Sequence, residues 1–170
     1  MKSSFAATSN CSSSVADVVI DEWLLIRGLD AEQPAAGLER ESADLLAVVQ
    51  TSHRWVMTDD VVDIYQRRLF QAPYKGAIWT RLRRSFIDTL VTANRLWLHD
   101  VPHIEGRYDQ DDAPWVSAAA AAPDGCLLVT GDRRLLTQLQ KTPLPEEHAF
   151  VACFVTDALD LLNPQQPALT

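Results

Sequence analysis

Long apolar runs are missing from this chain. No stretch approaches the ~20 consecutive apolar residues of a spanning helix, so no membrane segment is expected. Cysteine is scarce, with three residues (Cys11, Cys126, Cys153) in 170. An odd count, with two of them inside apolar runs, argues against a disulfide framework and for reduced thiols in a cytoplasmic protein. No Cys or His pair has zinc-site spacing, and His53, His99, His103 and His148 are scattered. A Gly-rich phosphate loop is absent, which leaves a nucleotide-binding α/β domain of that kind unsupported. Positive charge is in deficit, 15 Lys and Arg against 23 Asp and Glu, for a net charge of −8. That excludes a polybasic nucleic-acid binder and confines any nucleic-acid site to a local patch. Residues 1–14, rich in Ser, Ala, Thr and Asn, lack the apolar core of a secretory signal and are expected to be a disordered tail.

What remains has ordinary globular composition, 47% hydrophobic and 22% charged. One domain is expected over residues 15–162, followed by a Pro/Gln tail at 163–170. Apolar runs at 15–21, 55–57, 101–104, 126–129 and 150–155 read as strands. Helical spacing covers 22–28 (closed by Gly28), 38–51, 58–70, 77–99, an alanine-rich 112–122, 133–140 and 157–162. Strands that alternate with helices, without hairpin signals, specify an α/β fold with a mainly parallel sheet. Trp23, Trp55, Trp97 and Trp115 lie among apolar neighbours and are expected in the core.

The most informative stretch is Cys126–Leu136, CLLVTGDRRLL. Its apolar run reads as a buried strand ending at Thr130-Gly131-Asp132 and opening into a helix, and that edge of a parallel sheet is where ligands bind. Asp132 is either a helix N-cap or a site carboxylate. Asp21 closes the first strand, VADVVID, in the same manner. Asp109 and Asp112 flank the start of the alanine-rich helix in YDQDDAPW, where Asp111 reads as a solvated loop acid. Carboxylates gathered on one rim raise each other's pKa, and Mg²⁺ or Mn²⁺ relieves that repulsion. Such an ion activates water and stabilises the leaving oxygen of a phosphodiester, so metal-dependent phosphodiester hydrolysis is the expected chemistry.

VVID, DQDDAPWVSAAAAA and LVTGDRRLL, in this order, resemble the PIN-domain ribonucleases, a family that includes toxins of toxin–antitoxin pairs. The resemblance matches Asp21 to the family's first acid, Asp112 (with Asp109 as companion) to the acid before the alanine-rich helix, and Thr130-Gly131-Asp132 to its final Thr-Gly-Asp. It implies a three-layer α/β fold, a central parallel sheet flanked by helices, and one or two divalent metals. Asp21, Asp112, Asp132 and Asp109 would be the metal ligands, with Thr130 in support. Two positions depart from the pattern. Glu22-Trp23 stands where Thr-Asn is usual, and Ile64, beside Tyr65, stands where an acid is usual. Asp63 and Glu22 are the two substitutes for that acid, although a one-residue shift turns a helical side chain by ~100°. The resemblance further implies RNA as substrate and an antitoxin protein as partner.

Seven of the Lys and Arg residues fall between 67 and 95, where Asp88 is the single acid. This stretch is either a solvated helical face or a phosphate-tracking patch through Arg81 and Arg84, with Tyr74 and Trp79 for base stacking. Arg133 and Arg134 adjoin Asp132 and either contact the scissile phosphate or pair with surface acids. The alanine-rich helix suits close packing on the sheet or on a second subunit, and a homo-oligomer is expected. Against the ribonuclease stands a catalytically degenerate PIN-like binding or scaffold domain, which the departures at Trp23 and Ile64 favour.

Overall fold

Val18, Val19 and Ile20 are wholly enclosed, because the strand that carries them lies in the middle of a sheet covered on both faces. A computed structural model describes residues 15–31, 36–70, 76–102, 104, 108–123, 125–145 and 150–163. The expected tails at 1–14 and 164–170 lie outside the described residues. Among the described residues the chain runs β1 (Asp17–Ile20), α1 (Glu22–Asp30), α2 (Leu38–Ser52), β2 (Arg54–Met57), α3 (Asp59–Phe70), α4 (Ala77–Thr92), β3 (Arg95–Trp97), α5 (Ala113–Ala121), β4 (Leu127–Val129), α6 (Arg133–Lys141), β5 (Val151–Cys153) and α7 (Val155–Leu162). No helix among them is long and apolar enough to cross a membrane.

The five strands form one sheet in the order β3-β2-β1-β4-β5, with every pairing parallel. The chain leaves β1 toward β2 and β3, then returns to the other side of β1 as β4 and β5. Right-handed crossovers therefore place α5 and α6 on the face opposite α1 and α2, giving a three-layer α/β fold. α7 packs on α2 and β4, while α5 lies across β1, β2 and β4. Ala118, Ala119 and Ala120 of α5 are buried, so its small side chains bring a helix backbone close to the sheet. The reversal of strand order makes the gap between the carboxyl ends of β1 and β4 the topological switch point, where open α/β sheets bind ligands.

An aromatic cluster ties α3 and α4 to this frame. Tyr65 contacts Trp55, Phe86 and Trp115 at ring-centroid distances of 5.6, 5.9 and 5.2 Å. Its hydroxyl donates to the carbonyl of Ile20, anchoring α3 beside the end of β1. At the opposite end of the sheet, Arg54 makes a bidentate pair with the buried Asp17, at 2.6 and 2.9 Å.

Several local expectations differ from the structure. The long helix expected over 77–99 ends at Thr92, and Ala93 turns to an extended backbone (φ −67, ψ 143). The third strand is then Arg95–Trp97 rather than 101–104, because pairing of Trp55 to Arg95 and Met57 to Trp97 outweighs helical spacing. Trp55 and Trp115 are in the core, but Trp23 is 56% and Trp97 38% exposed. Trp23 projects from the first turn of α1, and Trp97 lies on an edge strand. Gly28 does not end α1. It lies inside the helix, where a Cβ would stand 2.6 Å from Leu46 Cδ1 and 2.7 Å from the Ser42 carbonyl oxygen. The missing side chain lets α1 touch the backbone of α2.

Gly28→Ala consequently should destabilise by ~1–3 kcal/mol through overpacking, even though Ala is favoured over Gly by ~1 kcal/mol in a free helix. Urea unfolding measures this, and an unchanged or higher midpoint would contradict the close helix contact.

Candidate active site

β1 and β4 end side by side, and the residue after β1 binds the turn after β4. Asp21 is buried and caps α1, its Oδ1 accepting from the Leu24 amide at 2.8 Å. Its Oδ2 accepts from the Thr130 hydroxyl at 2.6 Å and from the Gly131 amide at 2.7 Å. The Asp21 amide in turn donates to the Val129 carbonyl at 3.0 Å. Thr130 Oγ1 also accepts from the Asp132 amide at 2.9 Å, so a single hydroxyl links two of the acids at this rim. Burial raises the Asp21 pKa, against the lowering by its three donors.

Asp132 is the N-cap of α6, and its Oδ1 accepts from the Arg134 amide at 2.6 Å. Both strand-end acids are thus caps, and both retain acceptor capacity: a second lone pair on Asp21 Oδ1 and the whole of Asp132 Oδ2. Asp112 differs from them. It precedes α5 in a helical conformation (φ −92, ψ −29) and its side chain makes no capping bond. The Asp109 carbonyl braces this start instead, accepting from the Asp112 and Ala113 amides at 2.9 and 3.0 Å. Partial burial, then repulsion from Asp132, Asp109, Asp111 and Asp21, pushes the Asp112 carboxyl up to about 6. The switch point therefore brings Asp21, Asp109, Asp112 and Asp132 into one electrostatic field. Their donors are all oxygens, the chemistry of a hard divalent cation. Among the described residues, no three His, Cys, Asp or Glu side chains form a ready-made metal cage.

Glu22 and Asp111 belong to the same rim. Glu22 is buried, and its carboxyl is raised to about 7, first by burial and then by Asp21 and Asp111. It lines a cavity of about 290 Å³ with Ile64, Arg67, Arg68 and Asp111. Asp111, expected as a solvated loop acid, is exposed but acts on the adjacent Asp112, and that adjacency is the signal in the sequence. Asp63 is exposed on α3, one position before the cavity-lining Ile64.

The cations are distributed unevenly. Arg133 and Arg134 line an open groove of about 510 Å³ with Thr137, Gln138, Lys141 and Thr142, running along α6 from the Asp132 cap. The Arg133 guanidinium also lies 5.5 Å from the centroid of the Phe154 ring. Arg81 instead pairs with Asp30 at 2.5 Å, and Arg84 is exposed on α4, which packs on α1 and α3. Tyr74 and the Trp79 side chain lie outside the described residues.

No protein-family model, no curated protein and no solved structure matches this chain.

Two predictions follow from the bonding and the charge. Asp21→Asn sets an amide NH₂ among three donors and is expected to destabilise by ~1–3 kcal/mol, whereas Asp132→Asn keeps a good N-cap and stays near wild type; equal urea midpoints for the two variants would refute the distinction. The second concerns pH. Asp112 has a higher pKa folded (about 6) than its ordinary value of 3.8, so between these values the native state holds more protons than the unfolded chain. Stability attributable to Asp112 therefore falls as pH rises through that window. The melting temperature of Asp112→Asn should gain on wild type between pH 4 and pH 7, and a constant difference would show that Asp112 is not under this repulsion.

Proposed function

We propose that this protein is a divalent-cation-dependent ribonuclease that hydrolyses RNA phosphodiesters. The observation that carries this reading is Asp112: uncapped, partly buried, and raised to about 6 by that burial and then by the carboxylates around it at the switch point of a parallel sheet. Burying like charges together is unfavourable unless they are protonated or neutralised by a cation. The oxygen-only donor set fits Mg²⁺ or Mn²⁺. Asp21, Asp112 and Asp132 would hold the ion, with Asp109 beside them. When bound, such a cation supplies positive charge to the attacking water and to the phosphodiester.

The protein's own groups do the rest. The Thr130 hydroxyl and the Gly131 amide fix Asp21, so that acid is positioned before substrate arrives. Asp132 is oriented through its capping bond, which leaves its other oxygen as one that would hold the ion. Asp112, with neither oxygen engaged in capping, positions the attacking water. Arg133 and Arg134, which follow Asp132 in the chain and line the groove along α6, track the strand's phosphates. RNA as the substrate, and an antitoxin as a partner, rest on the resemblance of the VVID, DQDDAPW and VTGD segments.

A second reading has its own support. Asp21 already accepts three hydrogen bonds, which suits an acid retained for structure in a PIN-like binding domain without catalysis.

Incubation with a single-stranded RNA in Mn²⁺ or Mg²⁺ separates the two. The ribonuclease reading predicts cleavage that EDTA abolishes, and that falls by ~10²-fold or more in Asp112→Asn and Asp132→Asn. Cleavage that survives Asp132→Asn, or RNA binding without any cleavage, would overturn it.

A further inference from the structure

Trp23 stands in the first turn of α1, just past the Asp21 cap, and its side chain is turned outward, 56% exposed. A single exposed apolar residue needs no explanation. This one, however, walls a cavity of about 190 Å³ with Ile26, Arg27 and Asp30 of α1 and Glu39 of α2. The four α1 residues share one face of the helix, and the buried Ile26 gives the cavity an apolar floor. Asp30 and Glu39 bring hydrogen-bond acceptors to it and Arg27 brings donors. Asp30 also holds Arg81 of α4 at 2.5 Å, so that acid is fixed in place. A cavity of ~150 Å³ takes up a benzene ring, so this one has room for a single planar ring beside the indole. It also adjoins the rim. Leu24, the next residue, packs against Gly131, where a Cβ would stand 3.7 Å from Leu24 Cδ2. A strand whose phosphates follow Arg133 and Arg134 along α6 crosses the acid rim and meets the first turn of α1.

We propose that the Trp23 cavity binds one base of the RNA strand, and that this base is cytosine. The proposal rests on the ribonuclease reading for RNA as the ligand and adds base selection to it. Stacking on the indole is a contact that every base can make. Selection comes from the polar groups around it. The carboxylates of Asp30 and Glu39 accept from the N4 amine of cytosine, whereas uracil presents the O4 carbonyl there and is repelled. Arg27 donates to the O2 carbonyl of the same ring. The volume favours one ring over the two of a purine.

Fluorescence anisotropy with labelled oligocytidylate and oligouridylate, on full-length protein in EDTA, reads base selection apart from cleavage. Wild-type protein binds oligocytidylate severalfold more tightly. Trp23→Ala weakens oligocytidylate by about 10-fold or more, and Trp23→Phe, which keeps a stacking ring, retains most of the affinity. Glu39→Gln removes the preference, because a side-chain amide donates to O4 as readily as it accepts from N4. Equal affinity for the two RNAs in wild type, or unchanged affinity in Trp23→Ala, would overturn the proposal; EDTA-sensitive cleavage of a mixed-sequence RNA would then still uphold the ribonuclease reading. A Trp23→Ala protein that alters its sedimentation and not its RNA affinity assigns the indole to a protein contact, and also overturns the proposal. Cytosine-selective binding without any cleavage in Mn²⁺ would overturn the ribonuclease reading and leave the base cavity standing.

Discussion

The carboxylate of Asp21 joins the two halves of this sheet at the point where the chain reverses its direction of travel. β1 and β4 are neighbours in space but 106 residues and several crossovers apart in the chain, from Asp21 to Leu127. Parallel ladders align their strands, but it is the Asp21 bonds to Thr130 and Gly131 that fix how the chain leaves both of them. From that clasp, α1 departs on one side with Asp21 as its cap, and α6 departs on the other with Asp132 as its cap. The Tyr65 hydroxyl on the Ile20 carbonyl brings α3 to the same spot. α1, α3 and α6 are therefore positioned by contacts at or near Asp21.

Such a clasp has an electrostatic consequence. The rim sets the half-buried Asp112 and the buried Glu22 beside other acids, among them the exposed Asp109, Asp111 and Asp132. Burial first, and the neighbouring acids second, raise the Asp112 and Glu22 carboxyls to about 6 and about 7. Coulomb repulsion at short range in a partly dehydrated site exceeds what isolated surface charges feel. A structural acid could relieve this by turning outward, as Asp63 does on α3. Glu22 instead remains enclosed, with Arg68 at 3.7 Å.

The parallel α/β fold was legible in the sequence because buried central strands read as unbroken apolar runs, and VADVVI and CLLV are such runs. The acids at strand ends were legible for the same reason, since a strand's limit is where the apolar run stops. The edge strand β3 has no such signature, unlike β5 at the other edge, whose apolar run was legible. Arg95–Trp97 alternates over only three residues and continues the spacing of the helix before it, so its pairing is decided by β2 and not locally. The role of Gly28 was also hidden, because a glycine near a helix end looks like a terminator whether or not another helix crosses there. Glu22 and Asp111 escaped a firm reading because each sits beside a stronger acid. Burial depends on which loop and which helix close over a side chain, and residue spacing does not carry that information.

The central proposal is that the clasped rim holds a divalent cation through Asp21, Asp112 and Asp132. Anomalous diffraction at the manganese edge, from crystals soaked in Mn²⁺, tests it most directly. The account predicts a peak at the carboxyl ends of β1 and β4, about 2–2.5 Å from oxygens of those side chains. No peak at saturating Mn²⁺, or one bound away from the switch point, would contradict it.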